Sequence, residues 1–463
     1  MSVTYLFIVA ALAIAALLLL VMRLKWPAYV ALLAVSVATA AAAGIPIDEI
    51  VPTVIAGMGG TLGSVALLVG LGAMLGGIIE KTGGAEVVAT RAVQLLGKER
   101  LGPALLIASG LIAIPIFFDV GFIILVPIIF SFAKAAGHRS PVILGAPVAA
   151  TMVFIHNSVP PHPGVTGSTA LLRGDALGLV TMLGIALAVP IGVVIYLVSN
   201  RLTRQDLPLS AEVRRTYDST GAADFSAVAS KTGQAATALR KPRAWTVVAM
   251  ILLPILMISF GTIVSVVAEE GCTFRRVASF VGAPGFALIV AVVLAMWVLG
   301  RCNGWPQQEM SALMDAALGP AAVVVFVTGA GGVFAKVLTE SGIGEAVAGL
   351  LMDAGVPILF MAFLVALVFK VAQGSGTVAT LAAAGLMQSA VETGGYTDFQ
   401  VALIILAIGM GSVSLSHIND SGFWISSRLL GLSVAGGLRT WTVLCTVGGF
   451  LGMAIISLLW LVA

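Results

Sequence analysis

The amino-acid sequence predicts an all-α polytopic membrane protein of two inverted-topology repeats. Each repeat has about five spans, a re-entrant helical hairpin and an unwound transmembrane helix. Three observations lead there. Of 463 residues, 59% are hydrophobic and only 10% charged, with a mean hydropathy of +1.11. A soluble domain carries about 25% charged residues. Apolar stretches long enough to cross a bilayer, about 20 residues each, recur along the whole length. Finally, "GLGAMLGGIIEKTGGAE" (70–86) aligns with "GAGGVFAKVLTESGIGE" (329–345) at an offset of 259 residues.

The spans fall at about 3–22, 27–44, 61–80, 141–157, 174–199, 245–268, 282–300, 320–339, 398–415 and 440–463. The first, "TYLFIVAALAIAALLLLVM", has neither a basic n-region nor a small-residue cleavage site. It reads as a retained span rather than a signal peptide. Two further apolar tracts, 101–134 and 357–391, are interrupted in the middle. One long polar segment, 200–243, carries Arg201, Arg204, Arg214, Arg215, Lys231, Arg240, Lys241 and Arg243. It reads as a linker between a first repeat, 1–199, and a second, 244–463. Its positive charge places it in the cytoplasm.

In the aligned segments Gly70, Gly72, Gly83 and Glu86 recur as Gly329, Gly331, Gly342 and Glu345, and Thr82 as Ser341. The same offset superposes the order of elements, and Glu49 and Glu309 fall within one residue of it. Charge then sets the relative orientation. Arg23 and Lys25 put the first loop inside, and the interfacial helix 84–100 carries Arg91, Lys98 and Arg100, also an inside signature. Its counterpart, 342–356, holds Glu345 and Asp353 with no Lys or Arg, so it belongs outside. Five crossings per half, an odd number, invert the second repeat as the charges require. Inverted repeats with helices broken at mid-membrane are the architecture of secondary transporters.

Four polar clusters interrupt the hydrocarbon and pair between halves. "PIFFDVGF" (115–122) and "VAQGSGTVAT" (371–380) lie in the broken tracts. "HNSVPPHPG" (156–164) and "SHINDSGFW" (416–424) follow the next span in each half. Irregular backbone at membrane depth survives only when buried in protein or lining a wet cavity. Half-helix N-termini at such breaks suit an anionic group. Ser, Thr and Asn supply hydrogen bonds to hydroxyls or a carboxylate, glycines let backbone approach a ligand, and prolines keep the helix from re-forming.

Asp119 has no basic residue within ten positions on either side. An intramembrane carboxylate is a functional hypothesis by default; as a helix cap for the segment beginning at Val120 it would be structural, and both readings can hold. His156, His162 and His417 could titrate near neutrality or serve as neutral imidazoles for loop carbonyls. His138, in "KAAGHRSP", reads as an ordinary turn residue. Asp420 either caps "SGFWISSRLL" or neutralises a cation. Ser375 and Thr377 flank Gly376 beside Gln373 and suit ligand contact better than packing alone. The pairs Gly59-Gly60, Gly76-Gly77, Gly331-Gly332 and Gly436-Gly437 read as packing faces.

Several classes are excluded. A net charge of +3 without a Lys/Arg run gives no nucleic-acid surface. Cys272, Cys302 and Cys445 lack metal spacing and read as small core residues. No H-E-x-x-H, G-x-S-x-G or P-loop occurs, so neither enzyme nor ATP-driven pump is indicated and no cofactor or metal is expected. "GLGAMLGG" echoes a dinucleotide fingerprint without the βαβ context that would give it meaning.

In these residues the chain resembles the gluconate permease family of bacterial secondary transporters, within the larger ion-transporter superfamily. The resemblance rests on "FFDVGFIILVPIIFSFAK" (117–134), "VPPHPG" (159–164), "AQGSGTVA" (372–379), "LSHINDSGFWI" (415–425) and "GLSVAGGLRTWTV" (431–443). It implies proton-coupled uptake of gluconate or a related hydroxy acid across the bacterial inner membrane. It also implies a homodimer with a scaffold part and a moving part. Carried over, Asp119 falls at the first hairpin tip and Gln373, Gly374, Ser375 and Thr377 at the second. Asn157, Ser158, His162, Gly164 and Thr166 fall in one unwound loop, and His417, Asn419 and Asp420 in the other. Val165 departs from the proline that many members have there.

The expected mechanism is alternating access. A carboxylate docks near Ser375, Thr377 and Asn157, Asn419 and Thr166 read hydroxyls, and Asp119, His156 or Asp420 handles the proton. Sodium coupling, D-serine as substrate and an intramembrane hydrolase pairing Ser375 with His417 are the alternatives.

Overall fold

Proline, glycine and cap residues divide this apolar chain into helices. The structure is a computed structural model and describes residues 2–203, 207–220, 241–269, 272–343, 346, 356–418 and 420–463. Among them every regular element is a helix, with one isolated β-bridge between Leu209 and Leu432. The first half holds α1 (Val3–Leu18), α2 (Ala28–Ala42), α3 (Ile47–Lys81), α4 (Gly84–Leu96) and α5 (Leu101–Ala113). It continues with α6 (Phe118–Ala135), α7 (Val142–Ser158), α8 (Pro163–Leu172) and α9 (Leu177–Leu202), and α10 (Ala211–Ser219) follows. The second half holds α11 (Ala244–Val267), α12 (Thr273–Val281), α13 (Pro284–Ala295), α14 (Gln307–Glu340) and α15 (Ile358–Gln373). It ends with α16 (Gly376–Thr393), α17 (Asp398–Val413), α18 (Ser421–Leu429), α19 (Val434–Gly437) and α20 (Val443–Trp460). Six helical segments are long and apolar enough to cross a membrane among the described residues. The chain is a multi-pass membrane protein.

The two segments related in sequence lie in α3 and α14, which pack against each other along their length. The pattern of their contacts makes them antiparallel. A Cβ on Gly57 would come within 2.8 Å of Val333 Cα, and one on Gly77 within 3.1 Å of Ala317 Cβ. Thr53 donates to Glu340 at 2.6 Å at one end of this pair. The sequence reading splits each into an amphipathic stretch and a span, but each is one helix, of 35 and 34 residues. Glycine is a poor helix former; close approach to the partner helix offsets that cost and carries the helix through. Gly76 and Gly437 do pack tightly, against Pro115 and against Phe423 and Ser427. Gly59 and Gly60, expected as a packing face, meet nothing within 4 Å.

α7 and α17 are among the most deeply buried helices. In α17 every residue from Val401 to Val413 is buried. In α7 only Ile143 and Val153 among Val142–Ser158 are less than fully buried. A helix apolar all round belongs inside, and these two lead directly into the second pair of breaks. A capping box between Thr397 and Gln400 starts α17.

Within 200–243, α10 docks on the ends of neighbouring helices. Lys134 donates to the carbonyls of Tyr217 and Asp218 at 3.2 and 3.0 Å, and Tyr217 donates to the His138 carbonyl at 2.8 Å. Arg204, Lys231 and Arg240 lie outside the described residues, as does most of 342–356, including Glu345 and Asp353. Of the cysteines only Cys445 is buried; Cys272 caps α12 and Cys302 is exposed.

Candidate functional site

All four polar clusters break a helix, each by its own local chemistry. Between α5 and α6 the helix stops over 114–117. Between α7 and α8 only 159–162 leave the helix, a shorter break than the 156–170 expected from sequence. Pro160 and Pro161 carry no backbone N–H and end α7, while Pro163 at the first helical position restarts the chain as α8. α15 ends at Gly374, whose φ of +86° is a left-handed conformation that glycine adopts freely. Ser375 then caps α16 by accepting from Val378 N at 3.3 Å. α17 ends at Val413 and α18 begins at Ser421, and Asp420 caps α18 by accepting from Gly422 N at 2.9 Å.

These breaks converge on one cavity of about 610 Å³. Its wall includes Asp119, His156, Asn157 and His162 from the first half, and Gly374, Ser375, Thr377 and Asp420 from the second. Small residues make the convergence possible. A Cβ on Gly76 of α3 would fall on the Pro115 carbonyl, and one on Gly72 within 2.7 Å of Pro161. A Cβ on Gly376 would come within 2.8 Å of Asn157 Oδ1.

Asp119 is the second residue of α6 and opens onto the cavity. It is not the helix cap: α6 begins at Phe118, and the cap position, Phe117, makes no side-chain hydrogen bond to it. Its charge instead sits in the first turn, where the helix dipole favours an anion. Asn157 is held from both ends, donating to Val153 O at 2.8 Å and accepting from Ser412 at 3.0 Å. His156 donates from Nδ1 to Met152 O at 3.1 Å, and its ring meets that of His162 at 4.6 Å. His162 Nδ1 is buried with no hydrogen-bond partner among the described residues.

Other expected site residues stand back from the cavity wall. Ser158 spends its hydroxyl on Phe154 O at 2.7 Å. Gly164 and Thr166 lie in α8, not in a loop. Gly164 lets α8 approach Thr377 and Thr380 closely, and Thr166 Oγ1 is buried without a partner among the described residues. His417 bonds the Val371 carbonyl at 3.1 Å. Asn419 lies outside the described residues, as does the side chain of Gln373, which ends α15.

The sequence reading passed over Lys370. This lysine is 3% exposed on α15 and bridges Asp420 at 2.6 Å and the Gly374 carbonyl at 2.7 Å. Asp420 also accepts from Ser416, which in turn accepts from Trp441 Nε1 at 2.6 Å. A Lys or Asp at the centre of a membrane helix costs about 2.5–3.5 kcal/mol each, and pairing is what makes both tolerable. Glu80 of α3 adds a further carboxylate to the cavity wall. The available signal was a charge in "LVFKVAQG", an otherwise apolar run just before the glycine break.

Membrane helices that break around a shared polar cavity, with a buried ion pair beside it, define a multi-pass membrane permease. The chain belongs to the GntP permease family, whose model, described as GntP family permease, matches residues 5–462. It is therefore of a family of permeases rather than enzymes. It is 44% identical over the full length of both chains to the inner membrane permease YgbN of Escherichia coli (strain K12). It is 34% identical to a gluconate permease of Bacillus subtilis (strain 168), covering 98% of this chain and 99% of that one. In fold it resembles the Alcanivorax borkumensis YdaH transporter, with a TM-score of 0.58 and 15% identity over 90% of each chain.

Proposed function

We propose that this protein is a secondary active transporter that takes up gluconate or a related sugar acid with a proton, by alternating access, across the bacterial inner membrane. The observation that carries the reading is the convergence of all four helix breaks on the cavity of about 610 Å³. Small-molecule sites span roughly 300–1,000 Å³. The N-termini of α6, α16 and α18 begin at this cavity and favour a carboxylate. Ser375, Thr377 and Asn157 offer polar atoms beside them. Relatives named for gluconate transport point to the same class of substrate.

Two inverted repeats, 1–199 and 244–463, joined by a cytoplasmic linker, fit the antiparallel crossing of α3 and α14 and the matched order of breaks. In that arrangement one part of each repeat moves past a fixed part and opens the cavity to either side. The protein works as a homodimer. Asp119 is open to the cavity and takes the proton from water, with His156 and Asp420 deeper in the wall as its partners. The inward proton gradient drives accumulation, one charge through 100 mV being worth about 2.3 kcal/mol.

The test is uptake by proteoliposomes under an imposed pH gradient, across a series of sugar acids, D-serine and simple carboxylates. Concentrative uptake that requires the gradient and persists without sodium supports the reading. Uptake that follows sodium alone replaces the coupling ion, and equilibration without concentration rejects active transport.

A further inference from the structure

We propose that Lys370 and Asp420 form a counter-ion exchange switch, in which the substrate carboxylate takes the place of Asp420 on Lys370 Nζ and the displaced Asp420 binds the transported proton. This rests on the sugar-acid transporter reading and names the residues that bind and couple in it.

Among the described residues on the cavity wall, Lys370 is the sole Lys or Arg. Its ammonium already holds one carboxylate, that of Asp420, at 2.6 Å. Asp420 thus occupies the position that suits a substrate carboxylate. Without a proton, substrate entry would set two carboxylates against one ammonium in a buried site. A medium of low dielectric strongly disfavours that imbalance. One proton, taken up from cavity water by Asp119 and passed on to Asp420 Oδ2, restores the balance of charge around Lys370: the O–H bond on Asp119 breaks as the one on Asp420 forms, and Asp420 releases Lys370 Nζ. Ser416 Oγ, which donates to that oxygen while Asp420 is ionised, can turn its hydrogen away and accept the new O–H, and Trp441 Nε1 holds it in place at 2.6 Å. Asp420 Oδ1 remains the cap of Gly422 N at 2.9 Å, so α18 keeps its start in both states.

The pair also ties two of the helix breaks together. Lys370 bonds the Gly374 carbonyl at the tip between α15 and α16, while Asp420 opens α18. Exchange therefore unlinks the tip from α18 when, and only when, both substrate and proton are bound.

Other titratable groups face the pair. Asp119 on α6, His156 on α7, Glu80 on α3 and His162 ahead of α8 share the cavity, and Cys445 of α20 is buried behind it. His417, in the same break as Asp420, is engaged by the Val371 carbonyl. The charged residues of the packed helices α16 and α17, Glu392 and Asp398, lie at the ends away from the pair. Arg23, beyond α1, is exposed.

The experiment is gluconate titration calorimetry on the purified full-length chain, run in buffers of different ionisation enthalpy to give affinity and protons taken up. For the wild type we expect about one proton taken up per gluconate bound, with affinity falling about tenfold per pH unit on the alkaline side. Asp420→Asn is expected to bind with no proton uptake. If Asp420→Asn does not fold, because Lys370 is left buried and unpaired, the double variant Lys370→Gln with Asp420→Asn carries the test. It retains a neutral hydrogen-bonded pair, and its gluconate affinity is expected to fall by more than about tenfold. A double variant that binds gluconate with wild-type affinity and proton uptake overturns the switch alone. A wild type that binds no sugar acid overturns the transporter reading, and the switch with it.

Discussion

Ser412 of α17 donates a hydrogen bond of 3.0 Å to the side-chain oxygen of Asn157 at the end of α7, joining residues 255 apart. The bond ties the first-half break to the helix that leads into the second-half break. Its removal leaves Asn157 held by the Val153 carbonyl alone and loosens its position at the cavity. Ser412→Ala is therefore expected to lower stability by about 0.5–1.5 kcal/mol and to raise the KM for sugar acid more than it lowers kcat. Thermal unfolding and initial-rate uptake on the same variant measure the two effects.

Asp119 opens to the cavity from the first turn of α6, inside the helix rather than at its cap position. Asp119→Asn is expected to fold normally yet lose most proton-driven uptake, by about tenfold or more, in line with the contribution of a positioned proton-transfer group. Counterflow exchange of substrate, which needs no net proton movement, should fall less. Equal loss in both assays would assign Asp119 to substrate binding instead of proton handling.

Gly374 turns the chain at φ +86° directly beneath the Lys370 ammonium. A Cβ there costs about 1–2 kcal/mol in the left-handed region. Gly374→Ala should lower the melting temperature, with Gly374→Asn milder because asparagine visits that region more readily. The same two variants should rank alike in uptake, since the turn sets where Ser375 and Thr377 meet the cavity.

The docking of α10 gives a pH dependence with a definite sign. Burial lowers the His138 imidazole from its ordinary 6.5, so the fold favours the neutral ring. That contribution is complete above pH 6.5 and is lost as pH falls below it. Burial first, and Asp218 second, push the Tyr217 phenol up to about 12, Arg214 opposing. The contribution of Tyr217 is complete below its ordinary 10 and is lost as pH rises through about 12. Hydrogen-exchange protection factors of 211–219, corrected for the intrinsic rate, should therefore be highest between these limits, and His138→Gln should remove the acid-side loss alone.

Much of this was legible in the sequence because bilayer chemistry is severe. Apolar length located most of the spans but not the full extent of α3 and α14, and polar residues in hydrocarbon marked all four breaks, including Asp119, Asn157 and Ser375. In sequence the break between α7 and α8 looks longer than it is, because His156, Gly164 and Thr166 resemble loop residues. In the fold, Pro160 and Pro161 confine the unwinding to 159–162. Asp119 was offered a capping role that the early start of α6 at Phe118 removes. Lys370 is hard to recognise in sequence, because a single lysine near a helix end resembles a snorkelling surface residue. Only the meeting of α15 with the start of α18, fifty residues on, brings Asp420 to it.

Substrate accumulation against its own gradient tests the central claim most directly. Proteoliposomes holding the wild-type chain, acid outside and neutral inside, without sodium, should concentrate labelled gluconate or a close sugar acid until a protonophore releases it. Uptake that never exceeds equilibrium, or that ignores the protonophore, would contradict the account.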